Sequence, residues 1–163
     1  PLPHRSPPFL FLLSLPLAPR SFAWTSAGTR DTIVFVSAPI RLRSVRAVRG
    51  ATTVTADEPE LIREAVTELL EAILNDNDIV PADVVSAVFT ATHDLVSEFP
   101  AHAARLFGWN DIPLLCAQEL PVTGALPRCI RVMIHAETRR LRSEIRHVYL
   151  RDAVLLRADL LAD

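Results

Sequence analysis

Lysine is absent from this chain of 163 residues, and all 17 basic side chains are arginines. A GC-rich genome explains this bias most simply, although arginine is also the better residue for forked recognition of carboxylates. Two cysteines, Cys116 and Cys129, are too few for a disulfide framework, so we expect reduced thiols and a cytoplasmic protein. The net charge of −2, without a basic tract, argues against a nucleic-acid partner.

Recognisable catalytic motifs are also absent. The four glycines form neither a GxGxxG fingerprint nor a Walker loop, and there is no GxSxG. Cys116 has no base beside it in sequence, and no metal-ligand spacing connects His93, His102, His135 and His147. Nucleotide, nucleophilic and metal chemistry therefore lack support, and we expect neither a cofactor nor a metal.

The first 44 residues differ in composition from the rest. They contain five arginines but a single acidic residue, Asp31, and their apolar stretch Phe9–Ala18 is interrupted by Pro16 and is too short to span a bilayer. A misassigned start, a signal peptide and an organelle transit peptide all remain open. The missing initiating Met and the abrupt change at Ser44 favour the first. We predict an extension over residues 1–44, outside the fold, and one folded domain over residues 45–163.

From Val45 onward the pattern is that of a globular protein. Val45–Arg49 alternates as a short strand, and a helix follows because six apolar residues recur at helical spacing. These are Ile62, Ala65, Val66, Leu69, Leu70 and Ile73. Thr55 with Glu58 offers a capping box for this helix, and Pro59 an alternative start.

Strands and one further helix follow along the chain. Strand patterns cover Val84–Thr92, Ile112–Glu119 and Cys129–Ala136, a short helix covers Pro100–Phe107, and Ile145–Leu150 and Ala153–Leu156 are strand-like. This order predicts an α+β fold with one mixed sheet and helices on one face.

Arg131 is the most unusual charged residue, because it lies inside the apolar strand CIRVMI. A charge in that position is costly unless a carboxylate or an anionic ligand answers it. A strand arginine paired with a structural glutamate is the plainer explanation. With Arg49, Glu119 and Tyr149 at other strand ends, the residues indicate an anion site with one carboxylate and one phenol.

Five segments resemble those of the AroH-type chorismate mutases, in that family's order and near its spacing. From Val45 to about Leu160 they are VRAVRGATTV, ATHDLVSEFPAHAAR, GW followed by PLLCAQE, VTGALPRCIRVMIH and IRHVYLRDAVLLRADL. The combination of RGATT, CIRVM and RHVYL is specific. The resemblance implies conversion of chorismate to prephenate, on the route to phenylalanine and tyrosine, without cofactor or metal.

The resemblance also implies a ferredoxin-like subunit, three of which form a homotrimeric pseudo-α/β-barrel with active sites at subunit boundaries. Matching positions make Arg131, Glu119 and Arg49 catalytic, while the substrate-binding residues are Tyr149, Arg105, Cys116, Phe99 and Arg157. The family's pattern departs at His102, where a lysine is expected, at Ala158, where a proline is expected, and just after Arg105, where the chain is one residue short.

Each of these positions has an expected role. Arg131 donates to the substrate's ether oxygen and to a carboxylate, and Glu119 accepts from the ring hydroxyl with Cys116 nearby. Arg49 and Tyr149 bind the side-chain carboxylate. The remaining three residues lie further out. Arg105 and Arg157 bring positive charge to the mouth of the site, and Phe99 forms a wall for the ring.

Other classes of protein remain open at this stage. A trimeric small-molecule binder or deaminase of the RidA-like kind also uses an interfacial arginine, and a regulatory protein could retain the fold without the activity. The combination of Glu119, Arg131 and Tyr149 favours the mutase.

Overall fold

The computed structural model describes residues 41–161, so the predictions for residues 1–40 lie outside this range. A single five-stranded sheet dominates it, with the strand order β3-β2-β4-β1-β5. The strands are β1 (Ser44–Thr53), β2 (Val84–Ala91), β3 (Leu114–Gln118), β4 (Cys129–Thr138) and β5 (Val148–Tyr149). β4 runs antiparallel to β1 and β2, whereas β2–β3 and β1–β5 are parallel pairs. The predicted mixed sheet of an α+β protein is confirmed.

Two helices, α1 (Pro59–Asn77) and α2 (Pro100–Leu106), cover one face of this sheet. Alternate residues of each strand point toward them and form the core. Gly50 allows α1 to approach β1 closely, since a Cβ there would lie 2.5 Å from Ile73 Cδ1. The fully buried residues of this layer include Val48, Ile62, Leu69, Leu70, Ile73, Phe89, Ile130 and Ile134.

Within residues 41–161, no α-helix covers the other face of the sheet, and only the C-terminal 3-10 segment, Arg151–Leu161, lies along part of it. Arg49, Leu115 and Met133 point to this side and are exposed, whereas Thr90 and Arg131 are half-buried. We call it the open face. Because β4 alternates Ile130, Arg131, Val132 and Met133, each strand contributes core side chains to one layer and polar or exposed ones to the other.

Two local predictions were wrong. The capping box at Thr55 does not form, whereas the alternative start at Pro59 is confirmed, with Glu58 as an N-cap that makes no side-chain hydrogen bond. The run Ala153–Leu156 is not a strand but part of a 3-10 segment, Arg151–Leu161. Arg151 has a φ of 52°, in the left-handed region, where the chain leaves the extended conformation of β5.

Residues just before β1 also contact the domain. Arg41 donates to both carboxylate oxygens of Glu144 at 2.8 and 2.7 Å, and Arg43 pairs with Asp83. Two residues that precede the predicted boundary at Ser44 therefore contact the folded domain. Within residues 41–161, no helix has the length and hydropathy needed to cross a bilayer.

Candidate active site

A cavity of about 380 Å³ opens on the open face between β1, β2, β4 and the C-terminal 3-10 segment. Three arginines and one tyrosine among the predicted site residues line it, namely Arg49, Arg131, Arg157 and Tyr149. Arg49 comes from β1, Arg131 from β4 and Tyr149 from β5, so sheet pairing brings together residues far apart in sequence. Among the side chains that the structure describes, no carboxylate lines the cavity wall, which makes it suited to an anion.

Glu119 forms an ion pair with Arg131. Its Oε1 atom lies 2.9 Å from Arg131 Nε, although the two are not aligned as a hydrogen bond, and the Glu119 side chain is 15% exposed. The same Oε1 accepts a hydrogen bond of 2.6 Å from Thr90 Oγ1. Cys129, two residues before Arg131, is fully buried, and burial raises the pKa of its thiol while Arg131 opposes that shift. Arg131 is therefore paired with a glutamate, as the simpler of the two explanations predicted. It also faces the cavity.

The hydroxyl of Tyr149 is buried and has no hydrogen-bond partner among residues 41–161. β5 places this ring opposite Ala51 of β1, and the backbone bond from Leu150 N to Ala51 O at 2.9 Å fixes the register. A buried hydroxyl without a partner is costly, so a ligand atom that accepts its proton would be favoured there.

His147, which the sequence analysis did not assign to the site, stabilises the first strand beside the cavity. Its Nδ1 accepts a hydrogen bond of 3.1 Å from the backbone N–H of Arg49. Burial, followed by the charges of Arg49 and Arg157, lowers the pKa of His147, so the ring stays neutral and can act as an acceptor. In the sequence, its position two residues before Tyr149 was the feature that could have indicated a place near the site.

Phe99, Arg105 and Cys116 form a second group, at α2 and β3. Phe99 and Cys116 line a cavity of about 220 Å³. Cys116 Sγ accepts from the backbone N–H of Ala101 at 3.3 Å, and burial raises the pKa of this thiol, opposed by that N–H and by the charge of Arg105. A thiol with a raised pKa is a poor nucleophile, in keeping with a contact role.

Glu98 fixes the position of Phe99 in this second group. Its carboxylate accepts from Arg63 Nε at 2.8 Å, from the Phe99 N–H at 2.8 Å and lies 3.1 Å from His102 Nδ1. Burial acts to raise the pKa of Glu98, but these partners outweigh it and the pKa falls. His102, the residue that departs from the family pattern, is thus bound to Glu98.

The structure therefore divides the eight predicted residues into two groups. Arg49, Arg131, Tyr149 and Arg157 line one cavity with Glu119 paired to Arg131, while the second group lines or adjoins the other cavity. Thr90, absent from the sequence prediction, lines both. It lies directly opposite Arg131 in the β2–β4 register, and a lone polar residue after the strand run VVSAVF was the available signal.

Together the fold and the cavity define a class of protein: a small α+β domain with an arginine-lined site suited to a compact anion. The sequence profile of the family described as chorismate mutase type I matches residues 45–160. The chain therefore belongs to that family.

Individual relatives agree with this assignment. The chain is 48% identical over 117 residues to chorismate mutase AroH of Bacillus subtilis (strain 168), which covers 71% of this chain and 92% of that protein. It is 51% identical over 117 residues to chorismate mutase AroH of Thermus thermophilus, covering 71% and 96%. A solved structure of a chorismate mutase from Clostridium thermocellum matches with a TM-score of 0.66 and 41% identity, covering 68% of this chain and 98% of that one.

Proposed function

We propose that this protein converts chorismate to prephenate, the step that leads toward phenylalanine and tyrosine. The observation that carries the proposal is the cavity lined by three arginines and by Tyr149, whose buried hydroxyl has no hydrogen-bond partner among residues 41–161. Such a lining suits a compact dicarboxylate, because each carboxylate has cationic or hydroxyl donors available. Membership of the chorismate mutase type I family supplies the substrate.

The reaction is an intramolecular [3,3] rearrangement, and it needs no nucleophile, acid or base. The protein has to hold the substrate in a compact chair and to favour the negative charge that develops on the ether oxygen as the C–O bond breaks. Binding in the chair reduces the entropic cost of reaching the reactive geometry. A fixed donor beside the ether oxygen lowers the energy of the transition state more than that of the ground state.

Arg131 is the residue that we assign to the ether oxygen and to one carboxylate, because its guanidinium is held by Glu119 at the cavity wall. Glu119 would accept from the ring hydroxyl. Arg49 and Tyr149 would bind the side-chain carboxylate, since both line the cavity and the Tyr149 hydroxyl has no other described partner.

The outer residues have supporting roles in this proposal. Arg157 would carry positive charge to the cavity mouth, where it already forms part of the lining. Arg105 would add charge, Cys116 would contact the allylic fragment, and Phe99 would form a wall for the ring.

These outer residues lead us to infer a homotrimeric pseudo-barrel with active sites between subunits. Phe99 is 72% exposed and Leu115, on the open face, 61% exposed, so a second copy would bury apolar surface there. The two groups of site residues occupy different cavities of one chain. If the second group of one subunit meets the first group of its neighbour, each site becomes complete.

The test is a direct assay of the purified protein for loss of chorismate absorbance and formation of prephenate, together with sedimentation equilibrium. We expect turnover by a species of three times the subunit mass. The value of kcat should be nearly flat between about pH 6 and 9, where arginine and glutamate keep their charge state. An active monomer would contradict the shared site, and a folded trimer without turnover would contradict the activity.

A further inference from the structure

Thr90 occupies an unusual position between the two charged residues of the site. It lies on the open face of β2, directly opposite Arg131 of β4 and beside Ala117 of β3. Its hydroxyl donates to Glu119 Oε1 at 2.6 Å, and that oxygen is also the one nearest to Arg131 Nε, at 2.9 Å. A hydrogen bond from a hydroxyl and an ion-pair contact from a guanidinium therefore meet at one carboxylate oxygen.

The contact between Arg131 and Glu119 is not the geometry that such a pair prefers. An arginine and a carboxylate commonly form two parallel hydrogen bonds, because the planar fork of the guanidinium matches the two oxygens. Arg131 and Glu119 instead touch through Nε and Oε1 without an aligned hydrogen bond. Oε1 can accept a second hydrogen bond, but the short bond from Thr90 directs it toward β2 and so restrains how the carboxylate turns toward the fork.

We propose that Thr90 is a positioning residue that prevents Glu119 from closing on Arg131 as a two-bonded pair. This inference rests on the proposed function. A closed pair would satisfy the guanidinium internally and leave it a weaker donor to the ether oxygen, while removing the carboxylate from the ring hydroxyl. Thr90 thus keeps both charges of the site available to the substrate, although it touches neither reacting bond.

Three single variants separate this role from packing. Thr90→Val keeps the shape but removes the hydroxyl, and we expect kcat to fall by about tenfold or more, as for the loss of a hydrogen bond to a charged group. Thr90→Ser keeps the hydroxyl and should retain kcat within about threefold of the parent. The matched control is Thr52→Val on the helix-covered face, whose buried hydroxyl has no partner in the described chain. This control should leave kcat unchanged.

A double-variant cycle then tests whether Thr90 acts through Glu119. In a Glu119→Ala background no carboxylate is left to restrain, so Thr90→Val should change kcat by less than about twofold. A role in packing alone would instead give the same loss in both backgrounds. Additive losses, or a Thr90→Ser variant as impaired as Thr90→Val, would overturn the inference.

Crystal structures of the parent and of Thr90→Val provide a readout that does not depend on activity. We expect two hydrogen bonds between Arg131 and Glu119 in the variant and a single contact in the parent. An unchanged single contact in the variant would refute the positioning role. If the parent does not convert chorismate, the proposed function fails, and these two structures still decide whether Thr90 separates the charged pair.

Discussion

The two faces of the sheet differ in what they accomplish, although the same strands form both. The helix-covered face is apolar and closed: Val48, Phe89 and Ile134 are fully buried against α1 and α2. The open face carries a cavity lined by Arg131 and by Tyr149, whose hydroxyl has no hydrogen-bond partner among the described residues. Stability is thus concentrated on one side of each strand and the candidate chemistry on the other. Substitutions on the two faces should have separable effects, and four predictions test this.

The largest expected effect is on activity, at Arg131 of the open face. Arg131→Ala should lower kcat by at least ~10³, because one preorganised donor to a developing oxyanion contributes roughly 3–4 kcal/mol. Arg131→Lys keeps the charge without the fork and should recover part of the loss. Steady-state kinetics measure kcat of both variants, and circular dichroism checks that they are folded. A folded Arg131→Ala with kcat within about tenfold of the parent would make the cation structural.

On the helix-covered face the expected effect is on stability. Leu69 is fully buried and lies close to Gly50 of β1, so Leu69→Ala should lower the free energy of unfolding by about 2–5 kcal/mol through the lost contacts and the cavity. The matched control is Leu141→Ala, because Leu141 is 48% exposed in the β4–β5 connection. Urea denaturation measures both. Equal losses at the two leucines would mean that burial in the helix-covered layer does not account for the stability.

A smaller effect is expected from the residues before β1. A chain shortened to begin at Ser44 lacks the Arg41–Glu144 and Arg43–Asp83 pairs, which a chain beginning at Arg41 retains. Exposed ion pairs contribute little, so activity should stay within about tenfold and the unfolding midpoint should fall only slightly. High salt should abolish the difference between the two chains, since it screens these pairs. A large loss of activity would instead give these residues a functional role.

The smallest effect concerns pH and His147. Its pKa is lowered in the folded protein, so below the unfolded value of about 6.5 the unfolded chain binds the proton more readily. Stability should therefore fall as the pH drops from about 7 toward 5, and His147→Gln should make this fall shallower. Urea denaturation at several pH values measures the slope. An unchanged slope would mean that the neutral ring does not contribute.

The amino-acid sequence alone determined the elements with strong periodicity. The apolar spacing from Ile62 to Ile73 predicted α1, and the alternation around Arg131 predicted β4. Short apolar runs are ambiguous, because four residues such as Ala153–Leu156 fit a strand or a helical turn equally well. The structure places them in a 3-10 segment that begins at Arg151, whose left-handed conformation no residue pattern signalled.

The candidate site divides in the same way. Residue types and family resemblance identified Arg49, Arg131 and Glu119 from the sequence, since a charge within an apolar strand is informative without coordinates. Strand register was needed to show that Thr90 lies opposite Arg131 and shares Glu119 Oε1 with it. The tertiary structure also separated Phe99 and Cys116 from the cationic cavity. Such contacts join residues distant in sequence, and their geometry depends on how strands pair, which local composition does not encode.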